Sequence, residues 1–290
     1  MTAGNQSTGS SMPRTRQEAE KIVEAKYSNL SERDKLVLAN HYLHTKEWAC
    51  ANCHQTGTLI KVDGSVRTAD CICKLIRKRK LLADKLRSES NIPPRYHDVD
   101  MRKWVNVGRN DVEKNINDES YKVVESYVGS LSNMISKGYG LYLTGPNGVG
   151  KTYLACCIAN KTVMLGKTVK YYTMAVIIQN EIRGWRDDEA AIIARGIKKS
   201  DLLIIDDLDK VYKTATGIER ALFDNLLRER LQGNKPCIFT SNRTIKDAYV
   251  DFSPHVASML QEHCAEIVLV GQDHRQVLSS DIRRSILNGG

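Results

Sequence analysis

The sequence lacks features that would place the protein in a membrane or outside the cell. It contains no run of about 18 apolar residues, the length that a membrane-spanning helix requires. Its beginning, MTAGNQSTGSSMPRTRQ, lacks the apolar stretch of a secretory signal. No internal repeat is visible either, which excludes a repeat architecture. We therefore expect a soluble, cytoplasmic protein with no membrane partner.

What the sequence has in excess is positive charge. The formal net charge is +9 over 290 residues, and a hydrophobic content of 41% is sufficient for a buried core. Within KLIRKRKLLADKLR, residues 74–87, seven Lys or Arg residues are offset by Asp84 alone. This pattern predicts a basic helix with a phosphate-rich partner, such as nucleic acid. A helix face that is merely solvated explains the pattern equally well.

The second half of the chain has the pattern of an α/β fold. From residue 139 onward, segments with helical periodicity separate the apolar runs GLYLTG, TVKYYT, DLLIIDD, PCIFTSN and EIVLVG. Strands and helices that alternate in this way imply a parallel sheet covered by helices on both faces. We expect the first helix of this domain over residues 118–137.

The rest of the chain is expected to be organised in smaller parts. Residues 1–13 are poor in large apolar groups and predict a disordered tail. A small helical and cysteine-containing module, which includes the basic helix, is expected over residues 14–90. Two prolines at its end lead into a linker over residues 91–117, and the α/β domain follows over residues 118–290.

The stretch GPNGVGKT predicts a phosphate-binding loop. It follows the apolar run LYLT and precedes a helical segment, which is the context that such a loop requires. Its glycines let backbone N–H groups converge on an anion at the helix N-terminus. We expect Lys151 to reach the β- and γ-phosphates of ATP and the Thr152 hydroxyl to bind Mg²⁺. The expected nucleotide-binding residues are Gly145, Pro146, Asn147, Gly148, Val149, Gly150, Lys151 and Thr152.

Two later strands supply polar groups to the same site. Asp206 ends the apolar run of DLLIIDD and is expected on the magnesium side, while Asp207 is placed to polarise the attacking water. A second interpretation is that Asp207 only caps the segment that follows. Asn242, after Ser241 in CIFTSN, is placed to hold that water or to sense the γ-phosphate, although Ser-Asn is also ordinary loop chemistry.

The eight cysteines fall into two groups. The first group combines a CxxC pair with a CxC pair, separated by a segment in which Asp63-Gly64 predicts a hairpin turn. Four thiolates of this kind predict a structural Zn²⁺ site, in which His54 is an alternative ligand. The predicted ligands are Cys50, Cys53, Cys71 and Cys73. The second group stands in apolar segments and is expected to pack in the core: Cys156, Cys157, Cys237 and Cys264.

The order of the motifs resembles a known family. GPNGVGKT, DLLIIDD, LLRERLQGNKPCIFTSN and IVLVGQDHR together resemble the AAA+ ATPase domain of the DnaC/DnaI-type replicative helicase loaders, to which the IstB transposition helper is closely related. The resemblance covers about residues 90–287. It implies the AAA+ P-loop NTPase fold, ATP hydrolysis and two sensor roles, for Asn242 and Arg275.

One departure from the family pattern concerns hydrolysis. The family usually has an Arg before the last strand that reaches the γ-phosphate of a neighbouring subunit, but Met259 stands in that place. No Arg lies between residues 244 and 274. Either Arg230 or Arg243 takes this role, or hydrolysis is weak and ATP acts mainly as a conformational switch.

The resemblance also implies partners. Loaders of this type often carry a small zinc module and an IPPRY-like linker, which stands here at residues 92–96, and their amino-terminal module docks onto a hexameric DnaB-type helicase. The implied function is loading of that helicase onto single-stranded DNA during replication initiation or restart, with self-association on ATP and DNA. Trp185, between Arg183 and Arg186, is a candidate DNA contact or simply a surface aromatic covering a helix.

Three other functions fit parts of the sequence. An IstB-like transposition helper would act on duplex DNA, but the cysteine module and the IPPRY segment disfavour it. A nucleotide-binding adaptor with little hydrolysis is suggested by Met259. A P-loop kinase for a small molecule would leave the cysteines and the TSN motif without a role.

Overall fold

The computed structural model describes most of the chain from residue 58 onward. The described residues are 15–26, 28, 32, 35–36, 39, 58–62, 66–70, 72–210, 217–247, 253–275, 284 and 286. The chain divides into two compact units, Met1–Leu81 and Leu82–Gly290. Among the described helices, none is both long and apolar enough to cross a membrane.

The first unit contains a helix and a β-hairpin. Helix α1, Arg16–Lys26, buries Ala19 and Val23, which are one turn apart on the same face. Strands β1, Thr58–Val62, and β2, Val66–Asp70, pair antiparallel. The pairing confirms the expected hairpin, whereas its turn residues and the predicted tail over residues 1–13 lie outside the described residues.

The basic segment forms helix α2, Ile72–Ser88, which confirms the predicted helix. The side chains of Arg77, Lys78, Arg79 and Lys80 are exposed. The helix continues into the second unit, where Leu86 is buried. The carbonyl of Ser90, just beyond the helix, accepts a hydrogen bond from the backbone N–H of Tyr171 (2.8 Å), which fixes this end to the sheet.

The second unit is built on a five-stranded parallel sheet with the strand order β4-β5-β6-β3-β7. The sheet confirms the expected parallel α/β fold. The strands are β3, Gly140–Thr144; β4, Val169–Thr173; β5, Leu202–Asp206; β6, Cys237–Ser241; and β7, Cys264–Val268. The helices between and before them are α3, Asp111–Gly129; α4, Leu131–Ser136; α5, Lys151–Met164; α6, Met174–Arg183; α7, Asp188–Lys199; α8, Ile218–Gln232; and α9, Pro254–His263.

The central strands of the sheet are buried on both faces. In β5, Leu202 and Ile204 belong to one apolar cluster, which includes residues of α5, while Leu203 and Ile205 belong to another, which includes residues of α8. Because successive side chains of a strand point to opposite faces, a strand covered on both sides must be apolar throughout. This explains the uninterrupted run LLII at the centre of the sheet.

The helix expected over residues 118–137 begins earlier and is interrupted. Helix α3 begins at Asp111 because the side chain of Asn110 caps it, accepting a hydrogen bond from the backbone N–H of Glu113 (2.9 Å). The acidic residues of its first turn also favour the positive end of the helix dipole. The chain turns at Ser130, and α4 follows as a separate helix.

Arg230 is a buried cation that ties α8 to the end of α7. It is fully buried, and its Nη1 donates to the carbonyls of Ile197 (2.7 Å) and Lys198 (3.0 Å) and to the Ser200 hydroxyl (3.1 Å). Its Nη2 donates to the Pro236 carbonyl (3.0 Å). The negative end of the α7 dipole thus stabilises the guanidinium. The suggestion that Arg230 reaches a neighbouring subunit is therefore wrong, because the side chain is fully used within its own domain.

Candidate nucleotide-binding site

The predicted site residues converge at one edge of the sheet. Strand β6 lies between β5 and β3, so the carboxyl ends of these three strands are neighbours. Asp206 ends β5, Asn242 follows β6, and the loop that begins at Gly145 follows β3. This edge is where open parallel sheets bind ligands.

The phosphate-binding loop is packed against the segment that follows β7. Gly148 has φ +78°, and a Cβ on it would lie 1.7 Å from Oδ1 of Asp273. A Cβ on Gly145, at φ +143°, would lie 1.9 Å from the carbonyl oxygen of Leu269. Only glycine fits such conformations at such close approach. The backbone N–H of His274 donates to the Gly148 carbonyl (3.2 Å), which holds the loop in place from outside.

Lys151 is a buried cation whose hydrogen-bond partners, among the described residues, are all uncharged. It is 7% exposed, and its Nζ donates to the carbonyls of Gly145 (2.8 Å) and Pro146 (2.7 Å) and to Oδ1 of Asn242 (3.0 Å). No described acidic side chain forms an ion pair with it. Since a buried charge without a counterion is costly, this position suits a bound polyanion.

Burial also makes the charge of this lysine sensitive to pH. Burial lowers the Lys151 pKa to about 8, although the carboxylates of Asp209, Asp207 and Asp206 act in the opposite direction. The positive charge of Arg275 contributes to the lowering. A phosphate group placed against Lys151 would favour its protonated form.

Asp206 is a buried carboxylate that accepts hydrogen bonds from three hydroxyl groups. It is 7% exposed. Its Oδ1 accepts from Thr152 (2.9 Å) and Thr240 (2.5 Å), and its Oδ2 accepts from Tyr171. Because the Thr152 hydroxyl touches Asp206, both groups are able to reach one cation. A hydroxyl and a carboxylate oxygen are ligands that Mg²⁺ takes, so these residues fit a magnesium-bound nucleotide.

Asp207 is turned towards Lys210. It has φ +54°, a left-handed conformation that is uncommon for residues other than glycine. Its backbone N–H donates to the Thr240 hydroxyl (3.0 Å), and its Oδ2 pairs with Nζ of Lys210 (2.9 Å). The side chains of both partners remain 36% and 54% exposed, so the pair is weak in water. The role of Asp207 in activating water stays a prediction.

Asn242 is oriented by Asp209, a residue that the sequence patterns did not single out. Oδ2 of Asp209 accepts from Nδ2 of Asn242 (3.1 Å), and Oδ1 of Asp209 accepts from the Asn242 backbone N–H (3.0 Å). The amide oxygen of Asn242 therefore faces Lys151. In the sequence, Asp209 is the third acidic residue of DDLD, in which Asp206 and Asp207 are the first two.

Arg275 lies beside the phosphate-binding loop. Its backbone N–H donates to Oδ1 of Asp273 (2.9 Å). The same carboxylate packs against Gly148. Its side chain is exposed, and its positive charge contributes to lowering the pKa of Lys151. The structure thus brings Arg275 to the same edge of the sheet as Asn242, while its sensor role stays a prediction.

Tyr171 is a buried residue of β4 that packs in the core. In addition, its hydroxyl donates to Asp206. Burial raises the pKa of Tyr171, and the charge and hydrogen bond of Asp206 raise it further, so the hydroxyl remains a donor at physiological pH. The residue pattern of β4 alone does not predict this contact, because Asp206 belongs to β5.

The structure leaves the zinc prediction untested. Cys50, Cys53, His54 and Cys71 lie outside the described residues, and Cys73 lies in α2 with its side chain also outside them. In the part of the chain that is described, no group of three or more His, Cys, Asp or Glu side chains is arranged to hold a metal ion. Three of the later cysteines are buried as expected, Cys156, Cys157 and Cys237, while Cys264 is only partly buried against the core.

Met259 and Trp185 have contrasting surroundings. Met259 is 9% exposed and packs in the apolar cluster that contains Leu227 and Phe239, so an Arg at this position would point into the core. Trp185 lies in the turn after α6 and is 63% exposed. Exposure is what a DNA contact requires, and that role stays a prediction.

The chain resembles known ATP-binding proteins. A family model for IstB-like ATP binding proteins matches residues 110–274, which is more than half of the chain. The ATP-binding protein of insertion sequence IS21 from Pseudomonas aeruginosa is 26% identical over 159 residues, covering 53% of this chain and 58% of that protein. The replicative helicase loader DnaI from Bacillus subtilis (strain 168) is 28% identical over 114 residues, covering 38% of this chain and 35% of that protein.

The fold has a counterpart among solved structures. A crystal structure of the DnaC helicase loader matches 61% of this chain and 99% of its own chain, with a TM-score of 0.50 and 19% identity. At that identity the likeness concerns the fold alone. The two sequence relatives are matched over 58% and 35% of their own lengths. On the match of the family model over residues 110–274, this chain belongs to the family of IstB-like ATP binding proteins.

Proposed function

We propose that the protein is an ATP-dependent loader of a DnaB-type replicative helicase onto single-stranded DNA, acting in replication initiation or restart. The observation that carries the ATP part is Lys151, a buried cation at the start of α5, directly after the glycine loop. Its hydrogen-bond partners among the described residues are all uncharged. The loading part is supported by a sequence relative that is named as a replicative helicase loader, DnaI.

ATP hydrolysis would use the residues gathered at the strand ends. Lys151 would bind the β- and γ-phosphates, and Thr152 with Asp206 would hold Mg²⁺, which when bound supplies charge stabilisation at the transferred phosphoryl group. Asp207 would orient the attacking water once its ion pair with Lys210 is broken. Asn242 would contact the γ-phosphate through its amide. Arg275 would add a positive charge from the segment after β7.

A neighbouring subunit would complete the site. Arg230 and Met259 are both buried within their own domain. Arg243 is therefore our candidate for the residue that acts in trans. It is exposed and directly follows Asn242. If Arg243 does not act in this way, hydrolysis is slow and ATP serves as a switch that favours the assembled, DNA-binding state.

The amino-terminal module would bind the helicase. In this proposal, residues 14–90 are held by Zn²⁺ through Cys50, Cys53, Cys71 and Cys73, with residues 91–117 as the link to the ATPase domain. The exposed basic residues of α2 and the exposed Trp185 are the candidate contacts for single-stranded DNA. Self-association on ATP and DNA would bring several such surfaces onto one strand.

A second candidate function is an IstB-like transposition helper. The observation that favours it is the longer match with the IS21 protein, 159 residues against 114 for DnaI. A helper of that kind would respond to duplex DNA instead of single strands. A nucleotide-binding adaptor with little hydrolysis is the other alternative, and Met259 is the observation behind it.

Measured ATP turnover separates these functions. For the loader we expect turnover that single-stranded DNA stimulates several-fold, because DNA would assemble the subunits that complete the site. Equal concentrations of single-stranded and duplex DNA, matched in length and measured at two salt concentrations, provide the control for unspecific charge attraction. Stimulation by duplex DNA alone would favour the transposition helper, and no turnover under any condition would favour the adaptor.

A further inference from the structure

Strand β4, at one edge of the sheet, carries two adjacent tyrosines with different environments. Tyr171 is 8% exposed and belongs to the apolar cluster that includes residues of α5. Tyr172 points to the opposite face and is partly buried, with Asn91 nearby. Of these two neighbours, only Tyr171 touches Asp206. The pair therefore offers a hydroxyl that contacts the site and a matched hydroxyl that does not.

The two oxygens of Asp206 have separate partners. Oδ1 faces the hydroxyls of Thr152 and Thr240, which belong to α5 and β6, while Oδ2 receives the hydroxyl of Tyr171 from β4. Rotation of a carboxylate about its last bond is normally broad. Here donors on both sides restrict it, and the loss of one donor would leave a buried, charged oxygen without its partner.

We propose that Tyr171 is a positioning residue for the nucleotide site: its hydroxyl fixes the Asp206 carboxylate so that Oδ1 faces Thr152 and the magnesium-bound nucleotide. This inference rests on the proposed ATP site. It assigns to β4 a contribution to metal binding that the packing of the strand alone does not require. Partners that orient a metal ligand typically contribute about 10-fold to 100-fold to metal affinity.

The test compares Tyr171→Phe with Tyr172→Phe, each of which removes only a hydroxyl group. The binding of a fluorescent ADP derivative to the full-length protein is titrated without metal and at increasing Mg²⁺ concentrations. For Tyr171→Phe we expect metal-free affinity within about twofold of the wild type, and a Mg²⁺ concentration for half-maximal effect raised about tenfold. For Tyr172→Phe we expect both quantities to be unchanged. Thermal unfolding of each variant is recorded in parallel.

Other outcomes distinguish the inference from the function on which it rests. A Tyr171→Phe variant with the wild-type Mg²⁺ titration would overturn the positioning role. Equal losses of metal-free and Mg²⁺-dependent binding, together with a lowered unfolding temperature, would also overturn it, because the hydroxyl would then serve stability alone. A wild-type protein that binds no nucleotide under either condition would instead overturn the proposed ATP site, and the inference with it.

Discussion

Replacement of Lys151 by Ala is expected to raise the Kd for ATP by more than about 100-fold, which corresponds to about 2.8 kcal/mol of binding free energy. The variant loses a buried ammonium group that would donate charge-assisted hydrogen bonds to phosphate oxygens, and these are the strongest polar contacts in proteins. Equilibrium binding of a fluorescent ATP derivative measures the change. Lys161→Ala, an exposed position at the other end of the same helix, is the matched control and should bind within about twofold of the wild type.

The same lysine predicts how wild-type affinity depends on pH. With a pKa of about 8 in the free protein, Lys151 becomes neutral as the pH rises past that value. A bound phosphate raises the pKa, so binding above pH 8 requires uptake of a proton, and the affinity measured without Mg²⁺ should fall as the pH rises. Unchanged ATP binding by Lys151→Ala would contradict the assignment of the phosphate-binding loop.

The second large effect concerns stability. Arg230→Met is expected to lower the free energy of unfolding by about 3–5 kcal/mol, because the acceptors around a fully buried guanidinium would lose their donors. Arg230→Lys should recover only part of the loss, since an ammonium group lacks the planar fork of donors. Urea unfolding followed by circular dichroism measures the change. Arg228→Ala serves as the control on the same helix, because Arg228 is half-exposed and pairs with the partly exposed Asp224.

This variant also tests which arginine acts between subunits. An Arg230→Met variant that is as stable as the wild type but has lost ATP turnover would contradict the buried position of Arg230. Action of Arg230 on a neighbouring subunit would then explain the lost turnover. If stability falls and the remaining folded protein still binds ATP, Arg230 is a structural residue. Arg243 then remains as the candidate in trans.

The parts of the fold that local patterns control could be predicted from the sequence. The run LLII of β5 has to be apolar because both faces of the sheet are covered, and GPNGVGKT has to contain glycines because Leu269 and Asp273 approach the loop closely. The start of α3 was missed because the helical periodicity gave no weight to Asn110, whose side chain caps the helix at Asp111.

The parts of the site that depend on neighbouring strands could not be predicted. Tyr171 and Asp206 are 35 positions apart in sequence, and Asp209 and Asn242 are 33 apart. Each pair meets only because the strand order of the sheet brings their elements together. Arg230 is a similar case, since a lone Arg in a helical pattern normally indicates an exposed side chain.

Complex formation with a DnaB-type helicase tests the central claim most directly. The full-length protein is mixed with the helicase ring, with and without ATP, and the mixture is analysed by size-exclusion chromatography with light scattering. The loader function predicts a joint complex of defined mass whose stability depends on ATP, and this dependence should be lost in Lys151→Ala. The absence of a complex under both conditions, together with nucleotide-dependent binding to duplex DNA, would contradict the loader function and indicate a transposition helper.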